Sequence, residues 1–566
     1  MLQARPKRKL HASPGITLVA VPLHPVAARR VAPAQAWGRE LLRDILPVVF
    51  FTRVLFVALT LLTPLWRLGT GAPPLAFFPA TGTAFDAWNR WDARWYDDLA
   101  RLGYNIRGPD GFKNVAFFPL YPLLTRTLHD AGAVFVRNVL GAPLPDPFYP
   151  PYLVAGMVVA NVCAVAALAF LYGLVRLDHG RPAARRAVTL LALCPPSVFL
   201  FAAYSESTFL LCAIAFFYAL RLGRWWGAGL WGLLAAATRP PGVVLLIPFA
   251  LAWAEAHPTV VRSLAARLGD GRRRAVSWLR PRAVRSRSVP PAVRIDLYRR
   301  RAARSMAYRV GDRVGDVTAT GAGMGTGGGT GGGTGGGTGG GTGGGTGGGT
   351  GGGTGANAPV LTGTRPPGNR RSTDRGRTWR NWPEEVRQAV RNGAPVVAIP
   401  LGLVTFMAFL GRVFGDPLWF SDAQTAWMRT FAPPWETLYI SVAWPLGDLL
   451  RGKVTAVDFF ALHDLLYEVA GLALTVLAWR RLPRAQGVYL WLVWLALLSS
   501  PAMLTERRTL EPHHDVLMSL PRLLLMLFPL VVYLALQRRL YRPLVVLFTG
   551  GLIVYIEIFL TGGWLS

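Results

Sequence analysis

Residues 88–105 read WNRWDARWYDDLARLGYN. Tryptophans recur at 88, 91 and 95, aspartates at 92, 97 and 98, and arginines at 90, 94 and 101. At about 100° per residue, Trp88, Trp91, Trp95, Tyr96, Leu99 and Leu102 share one half of a helical wheel. Arg90, Arg94, Asp97 and Arg101 share the other half, with Asp98 at the border. The spacing predicts an amphipathic helix lying in a membrane interface, tryptophans down. Asp92 is the one acid on its apolar face. A carboxylate there needs a partner or a job, whereas Asp97 and Asp98, with arginines at helical spacing, read as a solvated face.

The segments on either side are strongly apolar. The chain has 566 residues, 52% hydrophobic and 16% charged, a balance that excludes a string of soluble domains and points to many membrane spans. On the criterion of about 20 apolar residues per span, the predicted class is an all-α polytopic membrane protein with about eleven transmembrane helices. They fall at 45–66, 151–175, 187–203, 206–221, 225–238, 241–256, 395–414, 457–479, 487–503, 516–537 and 542–560. The amphipathic helix then belongs to the first outer loop, 67–150. A second long outer loop runs over 415–456. Outer loops of this size point to chemistry on that face.

Charge placement orients the map. With the N-terminus inside, the clusters RLDHGRPAARR (176–186), RLGRWW (221–226), WRRLPR (479–484) and QRRLYR (537–542) all face the cytoplasm, as the positive-inside rule requires. Arg507 and Arg508 are the exception, and they share their loop with Glu506, Glu511 and Asp515. The formal charge of +31 is concentrated: residues 258–394 hold 24 Arg against 7 Asp and Glu, a net of +17. That excess is a topology and lipid-surface signal, not a reader of nucleic acid. A TGGG repeat runs from Thr326 to Thr354 and cannot bury a core. The predicted organisation is a basic disordered cytoplasmic tail (1–44), an N-terminal transmembrane module (45–257), a disordered cytoplasmic insert (258–394) and a C-terminal transmembrane module (395–566). Cys163, Cys194 and Cys212 lie in apolar runs and imply no disulfide framework.

Further polar groups reach the same outer face. In CPPSVFLFAAYSESTFL (194–210) the turn presents Tyr204, Ser205, Glu206 and Ser207. Ser205 before Glu206 also suits a helix N-cap with an acid on the positive end of the dipole. AAATRPPG (235–242) places Arg239 at a proline-stopped helix end, and MSLPRLLLMLFP (518–529) places Arg522 about one turn inside a span. Arginine at either place runs against the charge bias of that side; snorkelling would satisfy both, and binding a phosphate explains the choice of arginine. His513 and His514 share the outer loop of Arg522, but a histidine pair alone sets up no zinc spacing, so no metal is expected. His463, Asp464 and Glu468 form a polar stripe, and Arg53 in the first span reads as snorkelling. One carboxylate and two or three cations on one surface suit transfer of a group from a lipid phosphate.

WDARWYDDLARLGYN, VAFFPLYPLL (115–124), AAYSESTFL, ATRPPG and SLPRLLLMLFP occur in this order, and together they resemble the PIG-V-like mannosyltransferases of the GT-C class. The resemblance runs from about residue 45 to 540 without the Gly-rich insert. It implies an inverting hexosyltransferase with no cofactor. The donor would be a sugar, mannose, on polyprenyl phosphate, and the acceptor a hydroxyl on a lipid or glycan, as in glycolipid biosynthesis. The implied active site lies in the first outer loop, on the extracytoplasmic face of a multi-pass cell-membrane protein. Its WD aspartate maps onto Asp92 as catalytic base, its YSES acid onto Glu206, its ATR arginine onto Arg239 and its PR arginine onto Arg522. Trp91, Trp95, Tyr96, Tyr204, His513 and His514 complete the expected substrate-binding set. Leu523 and Pro240–Pro241 depart from the family's usual residues. Two other classes compete. A lipid or sugar transporter would show duplicated halves with broken helices, and no internal repeat is visible. A non-catalytic subunit of the same class leaves Asp92 in its aromatic setting without a job.

Overall fold

The computed structural model describes residues 34–70, 87–105, 114–139, 152–266, 382–427, 429–452, 456–502 and 516–563. Those up to 265 and from 382 onward form one compact unit. Secondary structure among them is helical apart from one isolated antiparallel bridge, Arg429 to Ala502. The basic tail up to residue 33, the TGGG repeat and the pair His513–His514 lie outside the described residues.

Five described helices are long and apolar enough to cross a membrane, six if the bent pair Pro240–Ala256 and Pro258–Ala266 is one span. This is the architecture of a polytopic membrane protein, with fewer full-length spans than the eleven expected. The reason is local. The segment expected at 187–203 stops as a helix at Leu193, because Pro195–Pro196 turn it into a 3-10 run. That at 516–537 is broken into a one-turn helix at Leu520–Leu523, a 3-10 turn and a helix at Phe528–Leu536. The stretch 415–456, expected as an outer loop, contains an apolar helix at Pro434–Leu450.

The helices that build the site are α1 (Ala34–Thr70), α2 (Asp92–Leu102), α3 (Leu120–Val139), α4 (Tyr152–His179), α5 (Arg181–Leu193), α6 (Glu206–Arg221) and α7 (Trp225–Thr238). They continue with α8 (Leu246–Ala256), α9 (Glu384–Gly393), α10 (Ala398–Phe414), α11 (Pro434–Leu450) and α12 (Ala456–Ala478). Last come α13 (Arg484–Leu498), α14 (Phe528–Leu536) and α15 (Tyr541–Leu560). α6 is the hub: every residue but Leu211 and Tyr218 is buried, and it packs between α4 and α7. α7 in turn pairs with α10, across the insert. A Cβ on Gly402 would overlap the Leu233 carbonyl oxygen, so glycine is what lets these two backbones touch, as small residues do between membrane helices. Both modules therefore share one core. Glu206, the first residue of α6, sits at one end of that core.

Candidate active site

Asp92 is the first residue of α2, where the exposed amides of a helix start favour a carboxylate. Trp91 before it has φ 54°, and Ser519, three residues before Arg522, has φ 70°. They are the two non-glycine residues with positive φ among those described. Such conformations cost about 1–3 kcal/mol each and persist where surrounding structure imposes them. Here they flank the two partners of one ion pair. Arg522 Nη1 donates to Asp92 Oδ2 at 2.6 Å. Arg522 Nε lies 3.3 Å from Glu206 Oε1, and Arg239 Nη2 reaches the same oxygen at 3.0 Å. Two acids and two arginines thus form a chain of neutral total charge. Glu206 is its most buried member, with a side chain 1% exposed.

The arginines are aimed by aromatic rings and by proline. The Arg522 guanidinium lies over the rings of Phe199 and Tyr204, 5.5 and 5.4 Å from their centroids, a cation–π arrangement. Tyr204 also donates to the Arg90 carbonyl at 3.1 Å, tying this turn to the approach of α2. Arg239 takes an extended conformation as α7 ends, and Pro240–Pro241 open the next 3-10 turn. Its Nη1 is buried and has no hydrogen-bond partner, so one strong donor is left for a ligand. Ser205 does not cap α6 with its side chain. Its hydroxyl instead accepts from Tyr96 at 2.7 Å, which joins α2 to α6.

A cavity of about 440 Å³ opens over this chain, lined by Asp92, Tyr96, Arg239 and Arg522 together with Phe117, Phe118, Gln424 and Arg429. That volume falls in the range of small-molecule sites. Trp91, Trp95, Tyr204 and Glu206 stand behind its walls and do not line it. Trp95 stacks on Phe117 with centroids 6.0 Å apart. His513 and His514 fall outside the described residues. Phe117, Gln424 and Arg429 were not singled out from the sequence. Arg429, in the stretch 415–456 expected on the outer side, carries the same sequence signal as Arg239 and Arg522.

The helix of the opening stretch departs from its wheel in three places. Trp88 is fully buried in protein, donating to Thr60 Oγ1 at 3.0 Å and packed on Phe56, Phe201 and Phe559. Leu102 on the supposed apolar face is 71% exposed. Asp97, expected to be solvated, is half-buried and faces the backbone amide of Leu153 at the start of α4. Trp88 precedes α2 and is covered by α1, α15 and Phe201, and Asp97 is covered because α4 packs against α2, so both meet protein where a wheel supposes lipid on one side and water on the other. Burial raises the carboxyl of Asp97 above its ordinary range, and neighbouring Asp98 adds to this. A raised carboxyl means the folded state favours the protonated form, so Asp97's contribution is present at low pH and lost as pH rises through its folded value. Asp97→Asn keeps the acceptor for Leu153 and removes that loss. Its thermal midpoint is expected to match or exceed wild type at pH 7, with the difference vanishing as pH falls into the ordinary carboxylate range. A lower midpoint at pH 7 would refute this.

Among the described residues no group of three or more His, Cys, Asp or Glu is placed to hold a metal ion. No curated protein and no solved structure gives a significant match to the chain. Residues 48–251 match the family model described as Mannosyltransferase (PIG-V). This span contains Asp92, Glu206 and Arg239, while Arg522 and Arg429 lie beyond it. The part of the chain that supplies both acids of the site is thus the part similar to the PIG-V mannosyltransferases.

Proposed function

We propose that this membrane glycosyltransferase moves mannose from a polyprenyl-phosphate carrier to a hydroxyl of a lipid or glycan acceptor, on the extracytoplasmic face. The observation that carries the reading is Asp92 at the wall of a cavity shared with Arg239 and Arg522. In the reaction the acceptor O–H gives its proton to Asp92 as its oxygen attacks C1 of the sugar. The bond from C1 to the phosphate oxygen breaks, and the phosphate leaves with the electron pair. Attack opposite the leaving group inverts C1. Arg239, with its open Nη1, and Arg522 hold the charge that develops on that oxygen.

The ion pair adds an order of events. With Arg522 on Asp92 at 2.6 Å, one oxygen of the carboxylate is occupied. A donor phosphate competes for the same guanidinium, so donor binding is what frees Asp92. Around this site the first outer loop is the catalytic loop of an N-terminal module over 45–257. Residues 1–44, of which 34–44 already belong to α1 where a disordered tail is expected, lead in from the cytoplasm; 258–394 is a cytoplasmic insert whose margins, Pro258–Ala266 and α9, are helical, and 395–566 is a C-terminal module that completes the cavity. The cytoplasmic arginine clusters support this topology.

The test is direct. Purified protein in detergent, given labelled polyprenyl-phosphate mannose and a membrane lipid extract as acceptor, is expected to move label into a new product. Label that stays on the carrier, with no product from any acceptor fraction, would overturn the reading.

A further inference from the structure

Arg522 reaches both Asp92 and Glu206 from a short and unusual perch. It sits on the one-turn helix Leu520–Leu523, whose preceding residue Ser519 is held at φ 70°, ψ 18°. A serine does not choose this conformation unaided. Something must hold it, and Arg429 is placed to do so. Its Nη2 donates to the carbonyl of Met518, the residue before Ser519, at 2.7 Å, and its Nη1 donates to the carbonyl of Ser500 at 2.8 Å. The backbone around it is pinned as well. Thr430 N donates to Pro501 O at 3.2 Å, Ala432 N to Ser499 O at 3.2 Å and Ala502 N to Val516 O at 2.9 Å. One planar fork thus clasps segments 499–502 and 516–518, between the second outer loop and the approach to Arg522. The Leu520 amide closes the turn on the Leu517 carbonyl at 2.8 Å and lies 3.4 Å from Asp464 Oδ2; these bonds tie the ends of the turn but do not set the direction of its central carbonyl, that of Met518, which Arg429 holds.

We infer that Arg429 is a positioning residue: it holds the left-handed turn at Ser519 and so sets Arg522 onto Asp92 and Glu206. The kinetic part of this inference rests on the transferase reading above; the tie itself does not. A lysine keeps the charge but cannot fork between two carbonyls, so Arg429→Lys misplaces Arg522. A displacement on the scale of an ångström lowers kcat/KM by about 10- to 100-fold. Glycine takes the left-handed conformation freely, so in a Ser519→Gly background the same lysine substitution costs only a few-fold.

The experiment is the four-protein cycle: wild type, Arg429→Lys, Ser519→Gly and the double variant. Each is purified in detergent, assayed with labelled polyprenyl-phosphate mannose, and melted to obtain a thermal midpoint. Arg429→Gln replaces the lysine variant if the latter does not purify. A loss that shrinks in the glycine background supports the inference. An equal loss in both backgrounds, as direct substrate contact by Arg429 would give, overturns it, and so does no loss at all. If wild type transfers no sugar, the transferase reading fails and the midpoints decide the tie: a midpoint drop relieved by glycine sustains it, and an additive drop ends it.

Discussion

Asp92→Asn is expected to lower kcat by about a hundred- to ten-thousandfold, the range that loss of a general base produces. The amide has the shape of the carboxyl but cannot take the acceptor's proton. It also loosens Arg522, whose strongest partner is Asp92 at 2.6 Å. The donor phosphate then meets less competition for that guanidinium. The expected signature is therefore a collapse of kcat with a donor KM that stays the same or falls. A purely structural ion pair behaves otherwise: its loss raises KM, lowers the thermal midpoint and leaves residual turnover. Steady-state kinetics on the purified variant separate the two, and turnover within a few-fold of wild type would remove Asp92 from the chemistry.

Glu206→Gln is expected to act on stability first. The side chain of Glu206 is 1% exposed, and its Oε1 lies between Arg239 at 3.0 Å and Arg522 at 3.3 Å. Removing the acid leaves two buried guanidiniums with Asp92, on Arg522, as the one remaining carboxylate of the chain, and breaking such a buried pairing costs about 3–5 kcal/mol. Thermal melting in detergent reads this as a large drop in midpoint. An added anion should recover part of it, because a phosphate can sit where the carboxylate was. Dodecyl phosphate is thus expected to raise the midpoint of the glutamine variant more than that of wild type. Equal shifts in both proteins would mean that the arginines do not face a phosphate site.

How far the sequence announced this site depends on what kind of information each residue carries. Asp92, Arg239 and Arg522 are legible because each violates a one-dimensional rule: an acid on an apolar face, or a cation at the end of a span that the charge map expects outside. Glu206 is legible only as half of an ambiguity between helix cap and site residue. The structure gives Ser205's hydroxyl to Tyr96, a contact across 109 residues that no local pattern contains. Trp88, which precedes α2, is covered by Phe56, Phe201 and Phe559, and Asp97 faces the start of α4; neither neighbour is written in the local pattern. A helical wheel assumes two environments, and such neighbours supply a third. The spans divide likewise. Long apolar runs such as Tyr152–His179 and Tyr541–Leu560 are plain in the sequence. The short helices around the site are cut by proline and held by protein neighbours, so length alone misjudges them. Arg429 carries the same outward signal as Arg522, but its fork to the Ser500 and Met518 carbonyls belongs to tertiary structure alone.

The two margins of the long insert meet in space. Trp253 Nε1 donates to the Ala389 carbonyl at 2.7 Å, His257 pairs with Asn392 at 3.1 Å, and Thr259 donates to Glu385 at 3.1 Å. α8 and α9 are thereby stitched together whatever runs between them. For a flexible loop with fixed ends, doubling its length adds only about 0.6 kcal/mol of closure entropy. Copy number in a tandem four-residue repeat is therefore almost invisible to the folded bundle.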